Sequence, residues 1–197
     1  MSREGNFYAE TWREGHWEPI PTPKRSKDKQ IPVACVYPGT AYSLYTALVG
    51  YERRYTYPFW HTEPIVPIAE PRGFPDDMNL LYKEAFFTGL TDSFLIKRLY
   101  LTWFLVQEVI DYNWDKKFPP WTGYVKRQYA SLFKDLGSFP EDFPDDEGVY
   151  PNPGKNRGEV SWIESYREFV GYGDWFIEEL LKLGNPQEVR IIFWLDW

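Results

Sequence analysis

Segments rich in strand formers open and close the chain, and apolar positions at helical spacing recur between them. Asn6-Phe7-Tyr8-Ala9-Glu10-Thr11-Trp12 is rich in strand formers, and Arg13-Glu14-Gly15 reads as a turn. His16-Trp17-Glu18-Pro19-Ile20 then continues as the second arm of a hairpin. A basic, polar loop from Pro23 to Lys29 follows, and Ile31 to Tyr37 reads as a short strand that Pro32 places at an edge. Thr40 can cap a helix whose Ala41, Leu44, Tyr45, Leu48 and Val49 share one face. The proline-rich stretch 55–75 predicts an ordered but irregular crossing, followed by a helix from about Met78 to Phe87.

Thr91 or Asp92 opens a long apolar and aromatic stretch that ends near Trp114. Its apolar positions run almost without a break from Leu99 to Val106, so period alone does not separate helix from buried strand. The expectation is a strand around Tyr100–Phe104 and a helix from Leu105 to Asp111. Lys126 to Leu136 reads as helical and stops at Gly137. A flexible loop is expected near 139–158, loaded with proline, glycine, asparagine and acid. Ser161 begins another helical stretch, broken by Gly171-Tyr172-Gly173 and resumed from Asp174 to Leu183 before Gly184-Asn185-Pro186 ends it. The last element is a strand, Val189 to Leu195, hydrophobic enough to be buried and paired, most simply against the N-terminal hairpin. The expected class is α+β: one domain over 1–197, with helices on a small antiparallel or mixed sheet built from the hairpin and the C-terminal strand.

Composition sharpens this picture through its rings. Ten tryptophans, fifteen tyrosines and fourteen phenylalanines supply about half of the apolar inventory. Each buried ring removes roughly 150–250 Å² from water, so a compact core is readily built. Twenty-two basic residues face twenty-nine acidic ones, a net charge of −7, which argues against a broad duplex-binding face. No apolar signal region opens the chain, and no run approaches the roughly 18 apolar residues of a spanning helix. A single cysteine forms no internal disulfide, which fits a reducing, cytoplasmic setting.

Candidate chemistry is sparse. Glu70-Pro71-Arg72-Gly73-Phe74-Pro75-Asp76-Asp77 is the most distinctive string. Arg72 can clamp an anion, and Asp76 with Asp77 can hold a divalent cation or act as base. A glycine turn followed by an aspartate helix cap explains the same residues. Arg53 and Arg54, flanked by Tyr51, Tyr55 and Tyr57, suit a nucleotide or a partner surface, and equally the C-terminal end of a helix. Glu141-Asp142 and Asp145-Asp146-Glu147 make an acidic loop without the order of an EF-hand, so a solvated loop is expected. Cys35 reads as a buried thiol, and His16 and His61 stand too far apart in sequence to suggest a zinc site. No Walker A loop, dinucleotide fingerprint, nucleophile elbow or zincin motif is present.

Four collinear stretches together resemble an uncharacterised family of small proteins of bacteria and their phages. Its members open Met-Gly-Cys-Asp-Ile-His before a strand ending in Glu, the place taken here by Met1 to Glu10. Its Pro-Arg-Gly-Leu-Pro-x-Asp string is similar to Pro71 to Asp77, and its Ser-Trp segment to Thr102 through Glu108, Tyr112 and Trp114. Its ending, Val-Arg-x-x-Phe-Trp-Phe-Asp-Asn, is close to Val189 through Asp196. Where the family carries Cys, Asp and His, this chain has Arg3, Glu4 and Asn6; where it carries histidines before the Ser-Trp, this chain has Leu99 and Leu101. The resemblance implies a fold pattern and a phage or bacterial setting, with the groups capable of metal or proton chemistry largely replaced. Arg72, Asp76, Asp77, Arg190 and Asp196 remain as a scaffold that can support folding or bind.

The expected function is a non-catalytic binding protein without cofactor, an accessory factor that sequesters a host component. A host protein is favoured over a small nucleotide-like ligand, and neither duplex nucleic acid nor membrane is expected. The expected contact residues are Arg53, Arg54, Tyr55, Arg72, Asp76 and Asp77. The alternative is a divalent-metal hydrolase or nucleotide-processing enzyme using Asp76, Asp77 and Asp196, with Glu10 as a further carboxylate.

Overall fold

A computed structural model of the chain describes residues 5–20, 42–51, 65–78, 99–133 and 136–195. The expected strand at Ile31–Tyr37 and the bulk of the expected helix after Met78 lie outside these residues. The fold is α+β, with a four-stranded and a two-stranded antiparallel sheet. The chain forms two compact units. The first is built from the described residues of Met1–Tyr51, Val66–Tyr112 and Tyr172–Trp197, the second from those of Glu52–Ile65 and Asn113–Gly171.

In the first unit, β1 (Gly5–Arg13) and β2 (His16–Pro19) form the expected hairpin. Glu14 and Gly15 both take positive φ, 48° and 89°, as a two-residue type I′ turn requires. β6 (Val189–Leu195) lies between β1 and β3 (Thr102–Leu105), giving the order β2-β1-β6-β3. The pairing of the C-terminal strand with the hairpin is the one its hydrophobicity demanded. All seven residues of β6 are buried, because it is a central strand covered on both faces. Pro19 sits on the edge strand. Ile20 N–H donates to Ala9 O, so by alternation the Pro19 nitrogen points away from β1 and leaves no ladder bond unmade.

The register sorts the side chains into two layers. Phe7, Ala9 and Thr11 oppose Phe193, Ile191 and Val189 on one face. Here α1 (Tyr42–Val49) places Tyr45 against Phe193, and α4 (Gly173–Leu181) places Phe176 against Phe7, with ring centroids 5.7 and 5.5 Å apart. The expected apolar stripe of Leu44, Tyr45, Leu48 and Val49 is buried, joined by Ala47. On the opposite face, Asn6, Tyr8 and Glu10 oppose Trp194, Ile192 and Arg190. Tyr8, Ile192 and Trp194 form an apolar cluster there with Met78, Leu99 and Leu101, against which Phe74 and Trp103 pack. The strand-to-helix switch falls where expected, with α2 (Val106–Ile110) directly after β3. Glu108 Oε2 accepts the Leu105 N–H at 2.7 Å and closes its first turn.

The second unit departs most from the sequence reading. β4 (Trp121–Lys126), not foreseen, pairs with β5 (Arg157–Trp162) where a loop ending and a helix start were expected. Trp121 and Trp162 are register partners whose rings stack at 6.0 Å with planes 6° apart, and this pair holds the small sheet. Lys126 ends β4, and the helix expected from it is a 3₁₀ turn, Arg127–Leu132. The helix expected from Ser161 is α3 (Tyr166–Val170) and begins five residues later, because Ser165 and Glu168 form a reciprocal capping box. Phe139 and Phe143 anchor the intervening loop on Phe133, and Phe139 also meets Trp162. Among the described residues no helix is long and apolar enough to cross a membrane.

One close approach gives a direct test of the first layer. Gly5 N–H donates to the buried Tyr45 hydroxyl at 2.9 Å, and a Cβ on Gly5 would lie 2.6 Å from the Tyr45 ring. Gly5→Ala is expected to cost about 1–3 kcal/mol in urea unfolding. Gly148→Ala, which meets nothing within 4 Å, should leave the midpoint almost unchanged. Equal midpoints for the two variants would contradict this packing.

Candidate functional site

The strongest concentration of charge in the first unit grows from a conflict within the sequence. Arg190 is the second residue of a strand that is otherwise apolar, and its side chain is 2 % exposed. A buried guanidinium requires partners for its charge and its N–H groups. The register puts Glu10, fully buried, directly across the ladder. Arg190 Nε donates to Glu10 Oε2 at 2.7 Å, and Nη2 lies 2.6 Å from the same oxygen. Nη1 donates to Asp77 Oδ1 at 2.5 Å, and the guanidinium stacks 4.2 Å over the Trp17 ring. One cation thus joins β1, β2, β6 and the end of the Glu70–Asp77 string.

Electrostatics within this group are graded from inside to outside. The Asp77 side chain is 58 % exposed and keeps water, whereas Glu10 has none. Burial pushes the Glu10 carboxyl above its usual range; Arg190 opposes that shift by charge and hydrogen bond, and Asp77 adds slightly to it. Arg190 Nε and Nη2 both converge on Oε2, so among the described residues the buried Oε1 has no hydrogen-bond partner.

Arg72 is committed in the same manner. Its Nε donates to the Trp103 carbonyl at 2.7 Å, and Nη2 bonds the same oxygen. Nη2 also lies 3.1 Å from Glu108 Oε2, and the guanidinium rests 4.1 Å over the Trp103 ring. The Glu70–Pro75 string is therefore stitched along β3. Gly73 N–H donates to Leu101 O at 3.0 Å and Thr102 Oγ1 to Glu70 O at 2.7 Å. Gly73 adopts φ 82°, as the expected glycine turn requires.

Of the expected contact residues, Arg72 pairs with Glu108 and Asp77 with Arg190 within the chain, and Asp76 is exposed. Arg53, Arg54 and Tyr55, with Asp196, Cys35 and His61, lie outside the described residues. His16 pairs with Glu18 at 2.9 Å on the exposed hairpin arm. Among the described residues no three His, Cys, Asp or Glu side chains gather closely enough to hold a metal ion. The acidic loop is exposed at Glu141, Asp142, Asp145 and Asp146, while Glu147 pairs with Lys126.

The second unit carries a different titratable pair. Glu164 sits beside Glu168 and close to the Trp162 side chain. Burial, with a contribution from the Glu168 charge, pushes the Glu164 carboxyl up to about 7. Glu168 moves the opposite way: Ser165 N–H and Oγ donate to its Oε2 at 2.6 and 2.8 Å, and these bonds hold its carboxyl below the usual range. Neither glutamate was singled out in the sequence. The Ser165-Tyr166-Arg167-Glu168 capping spacing is the signal that could have found Glu168; Glu164 becomes visible only once β5 places it after Trp162.

The sign of the resulting pH dependence is fixed. The folded state retains the Glu164 proton between about pH 4.5 and 7, where the unfolded chain has released it, so stability falls as pH rises through that window. Glu164→Gln should flatten this part of the profile and exceed wild type at pH 8 by on the order of 2 kcal/mol. That is less than the full shift implies, because the side chain keeps partial access to solvent. Urea midpoints from pH 4.5 to 8 check this; parallel profiles for wild type and variant would contradict it.

Comparisons of the chain with protein-family models, with curated protein sequences and with solved structures gave no match.

Proposed function

We propose that this protein is a non-catalytic binding protein. In this reading it is an accessory factor of a phage or mobile element that acts in the bacterial cytoplasm by sequestering or blocking a host protein. The observation that carries the binding part is the state of the buried Arg190 and the more exposed Arg72. Arg190 stands between Glu10 and Asp77, and Arg72 holds Glu108, so these carboxylates neutralise guanidinium groups of their own chain. A divalent cation entering between Glu10 and Asp77 would have to displace a buried positive charge already hydrogen-bonded to both. That arrangement favours a shape-holding role for these residues over the carboxylate-metal alternative.

Exposed rings supply the other half of the reading. Trp12, Tyr172 and Trp175 remain exposed on a chain whose other described rings are buried or half-buried, and aromatic anchors are the usual centres of protein contacts. The phage or bacterial setting rests on the sequence resemblance, and the preference for a protein partner on the lack of any phosphate-cradling motif. Arg53, Arg54, Tyr55 and Asp76 remain candidate contacts within this reading.

Native mass spectrometry of the protein purified gently from its own cells tests the proposal. The expected spectrum shows a stoichiometric protein partner, whose occupancy drops in the Arg53→Ala/Arg54→Ala variant while the thermal midpoint stays within a few degrees. Mg²⁺ or Mn²⁺ should leave that midpoint unchanged. A retained divalent ion that is lost in Asp76→Ala and Asp77→Ala, accompanied by metal-dependent hydrolysis, would overturn the proposal in favour of the enzyme.

A further inference from the structure

Helix α4 presents two faces of opposite character. Gly173, Phe176 and Leu180 are buried, and Phe176 packs on Phe7 of the central sheet. Trp175, Glu178, Glu179 and Lys182 follow one another at three- and four-residue spacing on the outward side, with Tyr172 one turn before Trp175. The Tyr172 residue is 58 % exposed and Trp175 41 %. Among the described residues neither ring meets another aromatic ring or a guanidinium, unlike Trp17 and Trp103, which hold Arg190 and Arg72.

Charge identifies what such rings would receive. The segment Tyr172–Glu188 carries Asp174, Glu178, Glu179 and Glu188 against Lys182 alone. Lys182 is paired with Glu179, so its charge is answered within the helix. Glu178 has no hydrogen bond or ion pair among the described residues and stands next to Trp175 on the outward side. Asp174 in the first turn also offsets the positive end of the helix dipole, which would otherwise repel a cation there. Two open indole and phenol faces beside carboxylates form a surface for Arg or Lys side chains whose stems are apolar.

Resting on the reading of this chain as a binder of a protein, we propose that the outward face of α4, centred on Tyr172, Trp175 and Glu178, docks a basic segment of the partner. Arg or Lys of that segment stacks on Trp175 and Tyr172 and pairs with Glu178. The acidic balance of the whole chain, −7, draws the same class of partner toward it.

Site-specific photo-crosslinking of the full chain in its own cells tests this. Benzoylphenylalanine is placed at 175, with a second copy of the experiment at 172 and a control at the exposed position 141. The expected adducts from 175 and 172 map to a partner segment with a net positive charge, and position 141 gives none. Glu178→Lys should reduce the yield from 175 at least tenfold with an unchanged circular dichroism spectrum, and Glu178→Gln should reduce it less. No adduct at 175 or 172 while native mass spectrometry still shows a bound protein would overturn the docking face and leave the binding reading standing. Loss of that bound protein from the spectrum as well would remove both. An adduct to an acidic segment, or to a second copy of this chain, would also overturn the docking face.

Discussion

A single guanidinium organises the first unit. Arg190 lies inside the central strand of the larger sheet, where every other residue of the strand is apolar, and it is tolerable there only because Glu10, Asp77 and the Trp17 ring surround it. A guanidinium left alone at that depth would cost several kcal/mol in lost hydration. The same requirement acts in reverse on Glu10, which is fully buried opposite it. The pair therefore discriminates against a shifted register of β1 on β6. A slip by one residue would turn Glu10 toward the face of Phe7 and Phe193 and leave both charges unmatched.

This constraint bears on function through the charges it commits. Asp77 and Arg72 belong to the most distinctive sequence string and Glu10 to the set of candidate carboxylates, and each is paired with a charge of its own chain. Aromatic rings take two distinct parts. Trp17 and Trp103 lie beneath arginines, and Trp121, Trp162, Phe133, Phe139 and Phe143 form the interior of the second unit. Among the described residues Tyr172 and Trp175, on the outward side of α4, have no such internal assignment, which is why the proposed docking face is placed there.

Much of the first unit was legible because its signals are local and concordant. The Glu14-Gly15 turn, the Val189–Leu195 run that is apolar except for Arg190, and the apolar stripe of α1 each specify their element without help from distant residues. The second unit was less legible because its signals are tertiary. In β4 only Trp121, Gly123 and Val125 face inward, and the interleaved Thr122 and Lys126 with an unpackable Gly123 weaken the alternation. In β5 just Val160 and Trp162 are fully buried, and the strand exists through the Trp121–Trp162 stack across 41 residues of chain. Within the candidate site, an arginine inside an apolar strand was itself the readable clue. Its partners were not, since Glu10 and Asp77 reach it only through pairing and the return of the Glu70–Asp77 string.

The most direct test of the account is a double-mutant cycle at the buried pair, read as urea unfolding free energies of wild type, Glu10→Leu, Arg190→Met and the double variant. Each single change should cost about 3–5 kcal/mol by stranding the opposite charge, and the double variant should recover most of that loss, giving a coupling of at least about 2 kcal/mol. Additive losses, with the double variant weaker than either single one, would contradict the claim that Arg190 and Glu10 exist to neutralise each other.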